Sequence, residues 1–160
     1  MIKVLTIFIV IAPVFSFTEK SLPKNKLMKT AKMLESRGDV EGAISIYEDI
    51  LSKEPEHRQS IQNLKDIYLK NSMYERGINF MRLRLAKEPN DVRTYCELGE
   101  FYFLNNQKKD ATLIWYAGLN KFKHNRSFYR VMLSMLVKHN LGDELSTIIK
   151  KGRESFGKSF

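Results

Sequence analysis

The chain has 160 residues, 43% of them apolar, with eight glycines and four prolines, which suits one packed helical domain and argues against disorder. A formal charge of +9 admits nucleic acid, an anionic membrane surface or an acidic protein as partner. The single cysteine, Cys96, excludes an intramolecular disulfide and a zinc site built on several cysteines.

Residues 1–16 have the make-up of an export signal. Lys3 supplies a positive start, and Val4 to Phe15 is an almost unbroken apolar run around Pro13. Val14 and Ser16 put small residues where a signal peptidase reads, so cleavage near Ser16 is expected. The apolar run from Val4 to Phe17, about 14 residues long, falls short of the roughly 20 that a spanning helix needs. The expectation is a periplasmic or secreted chain; the alternative is a membrane anchor left uncleaved. Export makes nucleic acid an unexpected partner.

Residues 17–23 form a short linker that closes with Pro23. Beyond it the apolar spacing is helical, with Leu27, Ala31 and Leu34 on one face. Arg37-Gly38-Asp39 breaks that helix, and Asp39 is suited to cap the next. Ala43, Ile46, Tyr47 and Ile50 mark the second helix, which Pro55 stops.

The pattern then returns. Lys53-Glu54-Pro55 recurs as Lys87-Glu88-Pro89, 34 residues on, and a fixed period of that size signals stacked repeats. The second unit carries Ile61, Leu64 and Tyr68, a turn at Asn71-Ser72, then Ile78, Met81 and Leu85. The third carries Tyr95, Leu98, Gly99 and Tyr102, a turn at Asn105-Asn106, then Ala111, Ile114, Trp115 and Leu119. A weaker fourth has Tyr129, Met132, Leu133 and Leu136, a turn at Asn140-Leu141-Gly142, then Leu145, Ile148 and Ile149. Eight helices in four hairpins are expected over 24–157, with 158–160 as a tail. No hairpin can bury its apolar face alone, so neighbours stack into a superhelix with a concave groove.

These residues resemble the tetratricopeptide repeat, a helical hairpin of 34 residues. The third unit matches best, through Tyr95, Leu98, Gly99, Tyr102, Ala111 and Trp115. The first supplies Leu27, Ala31, Leu34, Gly38, Ala43, Tyr47 and Pro55, and the second Ile61, Leu64, Tyr68 and Pro89. Three departures stand out: Lys65 where a small residue is usual, Gly77 for the packing alanine, and Lys123 for the third unit's proline. The resemblance implies an all-α, right-handed α-solenoid and a non-catalytic adaptor that takes a peptide or partner helix in its groove. Small residues such as Ala31, Ala43, Gly99 and Ala111 are expected to let paired helices approach. Tyr47, Tyr68, Tyr102 and Trp115 are expected to fill the space between hairpins. Short arrays of this kind also pair end to end, which leaves a homodimer open.

If the first helix of each hairpin lines the groove, its off-core residues face the partner. Those from the first two hairpins are Met28, Lys32, Gln59, Gln62, Asp66 and Leu69. Arg93, Cys96, Glu100, Phe103 and Arg130 follow from the last two. Leu69 and Phe103 lie one turn from the core faces and read equally as packing, and Cys96 reads better as a small packing residue than as a reactive thiol. The clamp that some family members use for paired carboxylates needs Lys, Asn and Arg. Asn63 and Arg93 fit it, but Met28, Lys32 and Glu97 break it, so that clamp is not expected.

From Lys108 onward, eleven Lys and Arg face four Asp and Glu, so the basicity sits in the C-terminal third. It reads as a solvated end of the solenoid, or as a patch of Lys121, Lys123 and Arg126 for an acidic protein or an anionic envelope surface. Asn125-Arg126-Ser127 matches a glycosylation acceptor, which matters only in a eukaryotic source. His57, His124 and His139 show no metal spacing, and there is no nucleophile elbow, phosphate loop or CxxC. No catalysis, metal or cofactor is expected.

Overall fold

The computed structural model describes residues 22–157; the expected signal segment 1–16, most of the linker and the tail 158–160 lie outside the described residues. Eight helices and no strand occur among them. The first two hairpins are α1 (Lys24–Ser36) with α2 (Val40–Lys53), and α3 (Arg58–Lys70) with α4 (Tyr74–Lys87). The others are α5 (Val92–Leu104) with α6 (Lys108–Lys121), and α7 (Arg126–Lys138) with α8 (Gly142–Phe156). Successive odd helices start 34 residues apart, and so do successive even ones. The spacing of the two Lys-Glu-Pro triplets is therefore the spacing of the whole array.

The turn inside each hairpin repeats with the same period. Gly38, Ser72, Asn106 and Asn140 take the left-handed conformation, with φ between +55° and +81°. In each, the next amide donates back to a helix carbonyl: Asp39 to Leu34, Met73 to Tyr68, Gln107 to Tyr102, and Leu141 to Leu136. This is the Schellman closure, which satisfies helix carbonyls that otherwise have no partner. Asn is well suited to that backbone region, and Ser72 shows that the array fixes it even for a less suited residue.

The ends between hairpins are equally regular. Asp39 caps α2, and His57, Asp91 and Asn125 cap α3, α5 and α7 by accepting from backbone amides. Asn125, the acceptor of the glycosylation triplet, is thus a capping residue. Arg84 on α4 binds both Lys-Glu-Pro turns: it donates to the Pro55 carbonyl at 3.2 Å and to Glu88 at 2.9 Å. The third unit has no proline, yet Phe122 and Asn125 make the same two backbone bonds as Glu54 and His57. The proline marks the stop without being needed for it.

The core forms two clusters. One joins α1 to α4 with Leu98 and Phe101 of α5; the other joins α6, α7 and Ile148 with Cys96 of α5, while Tyr102 packs against both. Ala31, Ala43 and Ala111 are fully buried, as close helix approach requires. At Gly99 a Cβ would fall on the Trp115 indole, so the glycine makes room for that ring. Trp115 therefore packs into its own hairpin, donating to the Cys96 carbonyl at 3.3 Å, and also joins the cluster shared with α7 and Ile148 of the next.

Gly77 has a matching reason. Phe101 from the next hairpin occupies the place where a Cβ would stand. Restoring the usual alanine by Gly77→Ala should therefore destabilise the protein by roughly 1–3 kcal/mol through overpacking. At this chain length the loss should appear as a Tm lower by several degrees, on the order of 2–4 °C per kcal/mol. A melt in which Gly77→Ala matches or exceeds the wild type would contradict this packing.

Candidate functional site

The odd helices α3, α5 and α7 line a groove, and α5 packs on α4, α6 and α7. One hollow of about 510 Å³ takes Gln62 and Lys65 from α3, and Arg93, Cys96, Glu97 and Glu100 from α5. Its far wall is Arg130, Val131, Ser134, Met135 and Lys138 of α7. A second hollow of about 430 Å³ shares Gln62, Arg93, Glu97 and Val131, and runs toward Glu56, Arg84 and Glu88 beside the Lys-Glu-Pro turns.

Of the expected groove residues, Gln62, Arg93, Cys96, Glu100 and Arg130 come together there. The rest do not. Met28 is half-buried against the first cluster, where its sulfur accepts from Ser60 Oγ at 3.6 Å. Leu69 also packs on that cluster, and Phe103 sits against Trp115 and His139 with ring centroids 6.2 and 5.9 Å apart. These two side chains are packing residues. Lys32, Gln59 and Asp66 are exposed, with Gln59 bonded to Asn63 and Asp66 to Gln62 along one helix.

Cys96 and Glu100 reach the groove wall but are buried, Cys96 at 1% exposure and Glu100 at 7%. Burial, with the carboxylates nearby, pushes the Cys96 thiol well above its ordinary value. It is an inert packing group.

The electrostatics of the groove are set by two inter-repeat ties. Lys65, the departure at the small position, extends its ammonium to Glu97 of the next hairpin at 2.7 Å and to Gln62 at 3.1 Å. Both side chains of that pair are about 13–14% exposed, so water screens it little. Burial outweighs Lys65 at Glu97 and leaves its carboxyl above the ordinary value. Glu100 takes Lys138 Nζ at 2.8 Å and His139 Nε2 at 2.7 Å. Burial there acts to raise the carboxyl, but the bonds and charges of Lys138 and His139 overcome it and hold Glu100 below its ordinary value.

The repeat pattern alone does not single out Lys65, Glu97, Lys138 and His139 as groove residues. Their signal is nonetheless there: opposite charges about one repeat apart on successive odd helices. Arg93 and Arg130 are exposed, and no ion pair engages either among the described residues.

The basic candidates cluster at the turn between α6 and α7. Lys121 and Lys123 are exposed, and the Arg126 guanidinium lies over the Phe156 ring at 5.2 Å. Arg126 is thereby tied to the end of α8.

Residues 41 to the end of MamA from Desulfovibrio magneticus RS-1 superpose with a TM-score of 0.54 at 18% identity, covering 83% of this chain and 75% of that one. TTC0263, a thermophilic TPR protein of Thermus thermophilus, gives 0.52 at 13% identity over 84% and 75% of the two chains. The fold is a tetratricopeptide-type α-solenoid. No family model matches the chain. The BBSome complex member BBS4 homolog of Drosophila melanogaster is 28% identical over 122 residues, 76% of this chain. The chain spans only 25% of that relative's length.

Glu100 gives a pH-dependent outcome. The folded chain holds this proton less tightly than the unfolded chain, so the stabilisation is complete above the ordinary carboxylate value of 4.5 and is lost as pH falls through the lower folded value. Glu100→Gln should cost about 1–3 kcal/mol at neutral pH, since Lys138 and His139 lose an ionised acceptor. Below pH 4.5 the two melting temperatures should converge, and a gap independent of pH would contradict the assignment.

Proposed function

We propose that this protein is a non-catalytic scaffold that holds a protein partner, as a peptide or a helix, in the groove of α3, α5 and α7. The observation that carries the reading is the groove itself: an open trough whose polar side chains are held by inter-repeat ties, on a floor continuous with the core. Alternate apolar and polar side chains along such a trough suit an extended or helical segment. Two of the three histidines and the cysteine have structural work. His57 caps α3, His139 binds Glu100, and Cys96 is buried with a raised pKa. The Drosophila relative is named as a member of the BBSome complex, which agrees with a scaffold role.

The setting we propose is the periplasm or the exterior of the cell, after removal of the first 16 or so residues. This follows from the charge and length of that segment. End-to-end pairing of two copies would use the ends of the array and leave the groove open. A second reading keeps Lys121 and Lys123 as the contact to an anionic envelope surface, favoured by their exposure on one turn. It predicts strongly salt-dependent retention, because released counterions set that slope.

A photo-crosslinking side chain placed at one position at a time separates the two. Installed at Ser134 in the groove it should give a partner adduct, whereas at Leu113, 68% exposed on α6, it should give none. Adducts only from Lys121 would favour the anionic surface, and equal adducts from all three would remove the groove reading. Cell fractionation should recover a chain shortened at its N-terminus outside the cytoplasm; a full-length cytosolic chain would end the export proposal.

A further inference from the structure

We infer that the segment held between α5 and α7 is acidic and is recognised by Arg93 and Arg130. This rests on the groove reading above and adds the chemistry of the partner.

The charges that line the trough do not cancel. The α3–α5–α7 hollow is lined by four cations, Lys65, Arg93, Arg130 and Lys138, and by two acids, Glu97 and Glu100. Both acids are already neutralised from within, Glu97 by Lys65, and Glu100 by Lys138 with His139. Arg93 acts on Glu97 through space, without a bond to it. Desolvated and paired, the two acids cannot also serve the two arginines. Arg93 and Arg130 therefore face one trough from opposite walls as exposed guanidiniums, neither in ion-pair contact with a carboxylate among the described residues. A guanidinium presents a planar fork that matches a carboxylate in two parallel bonds, which favours Asp or Glu side chains over diffuse negative charge.

The remaining lining fits a peptide. Gln62 and Ser134 offer hydrogen bonds at the sides, while Val131 and Met135 give an apolar floor for the side chains between the acids. The acids at the Lys-Glu-Pro end, Glu56 and Glu88, are likewise held from within, by Arg84 at 3.6 and 2.9 Å, and leave no charge there for Arg93.

The test uses the full chain and three labelled peptides of the same length. One alternates Glu with Leu, one carries Gln in place of Glu, and one carries Lys; inorganic polyphosphate is a fourth probe. The acidic peptide should bind more tightly than its Gln twin. Arg93→Gln and Arg130→Gln should each weaken it by roughly tenfold, as charge-assisted bonds in an open groove do. The paired substitution Lys121→Gln with Lys123→Gln should leave it unchanged. Glu97→Gln, which releases Lys65, should tighten it, a gain that a merely structural role does not give. Thermal melts confirm that each variant is folded. If the Gln twin binds as well and still competes with the Ser134 adduct, the groove reading stands and the acidic inference falls. If no peptide binds, or polyphosphate binds through Lys121 and Lys123 alone, both fall.

Discussion

The structure depends on α5 being buried on two sides at once. Leu98 and Phe101 face the core shared with α1 to α4, Cys96 faces the core shared with α6 to α8, and Tyr102 touches both. A hairpin of two short helices cannot bury its own apolar stripe, so each must borrow a face from its neighbour. The borrowing is literal at Gly77, where the missing side chain is supplied by Phe101 from the following hairpin. At Gly118 the ring of Phe128, from α7, does the same. Small residues in one hairpin and large rings in the next are one packing unit, cut by the chain at a turn.

The groove follows from that geometry. Once the odd helices are stacked at a fixed period, residues that recur on them must face one another across repeats. Lys65 meets Glu97, and Glu100 meets Lys138 and His139. Burial makes these ties consequential, since an acid left unpaired at such depth costs far more than an exposed pair contributes. The ties also decide what remains for a partner. The acids are spent on holding the array together, and the free charge of the trough is positive.

Much of this is legible in the sequence, for physical reasons. The period, the four turns and the caps are local features: a left-handed residue after a helix, a side chain with a lone pair before one, and a proline after two of them. The repeat spacing multiplies each signal, so Gly38, Ser72, Asn106 and Asn140 can be placed without any structure. The core residues follow from the helical period. The groove is less legible. Which polar residue on a helix faces a partner depends on how neighbouring helices tilt, and the period does not carry that. Leu69, Phe103 and Met28 lie near the predicted face yet turn into the core. Lys65 and Gly77 look like lapses from the repeat pattern, whereas each is half of a contact whose other half is a repeat away.

Hydrogen exchange resolved at single amides reads whether stability spreads outward from α5. Local opening should cost most where two cores share a helix and least where an end hairpin has one neighbour. The slowest exchange should fall in α5 and α6, with protection declining through α4 and α3 toward α1 on one side and through α7 toward α8 on the other. Uniform protection throughout, or a maximum in α1 and α2, would contradict an array held together from α5.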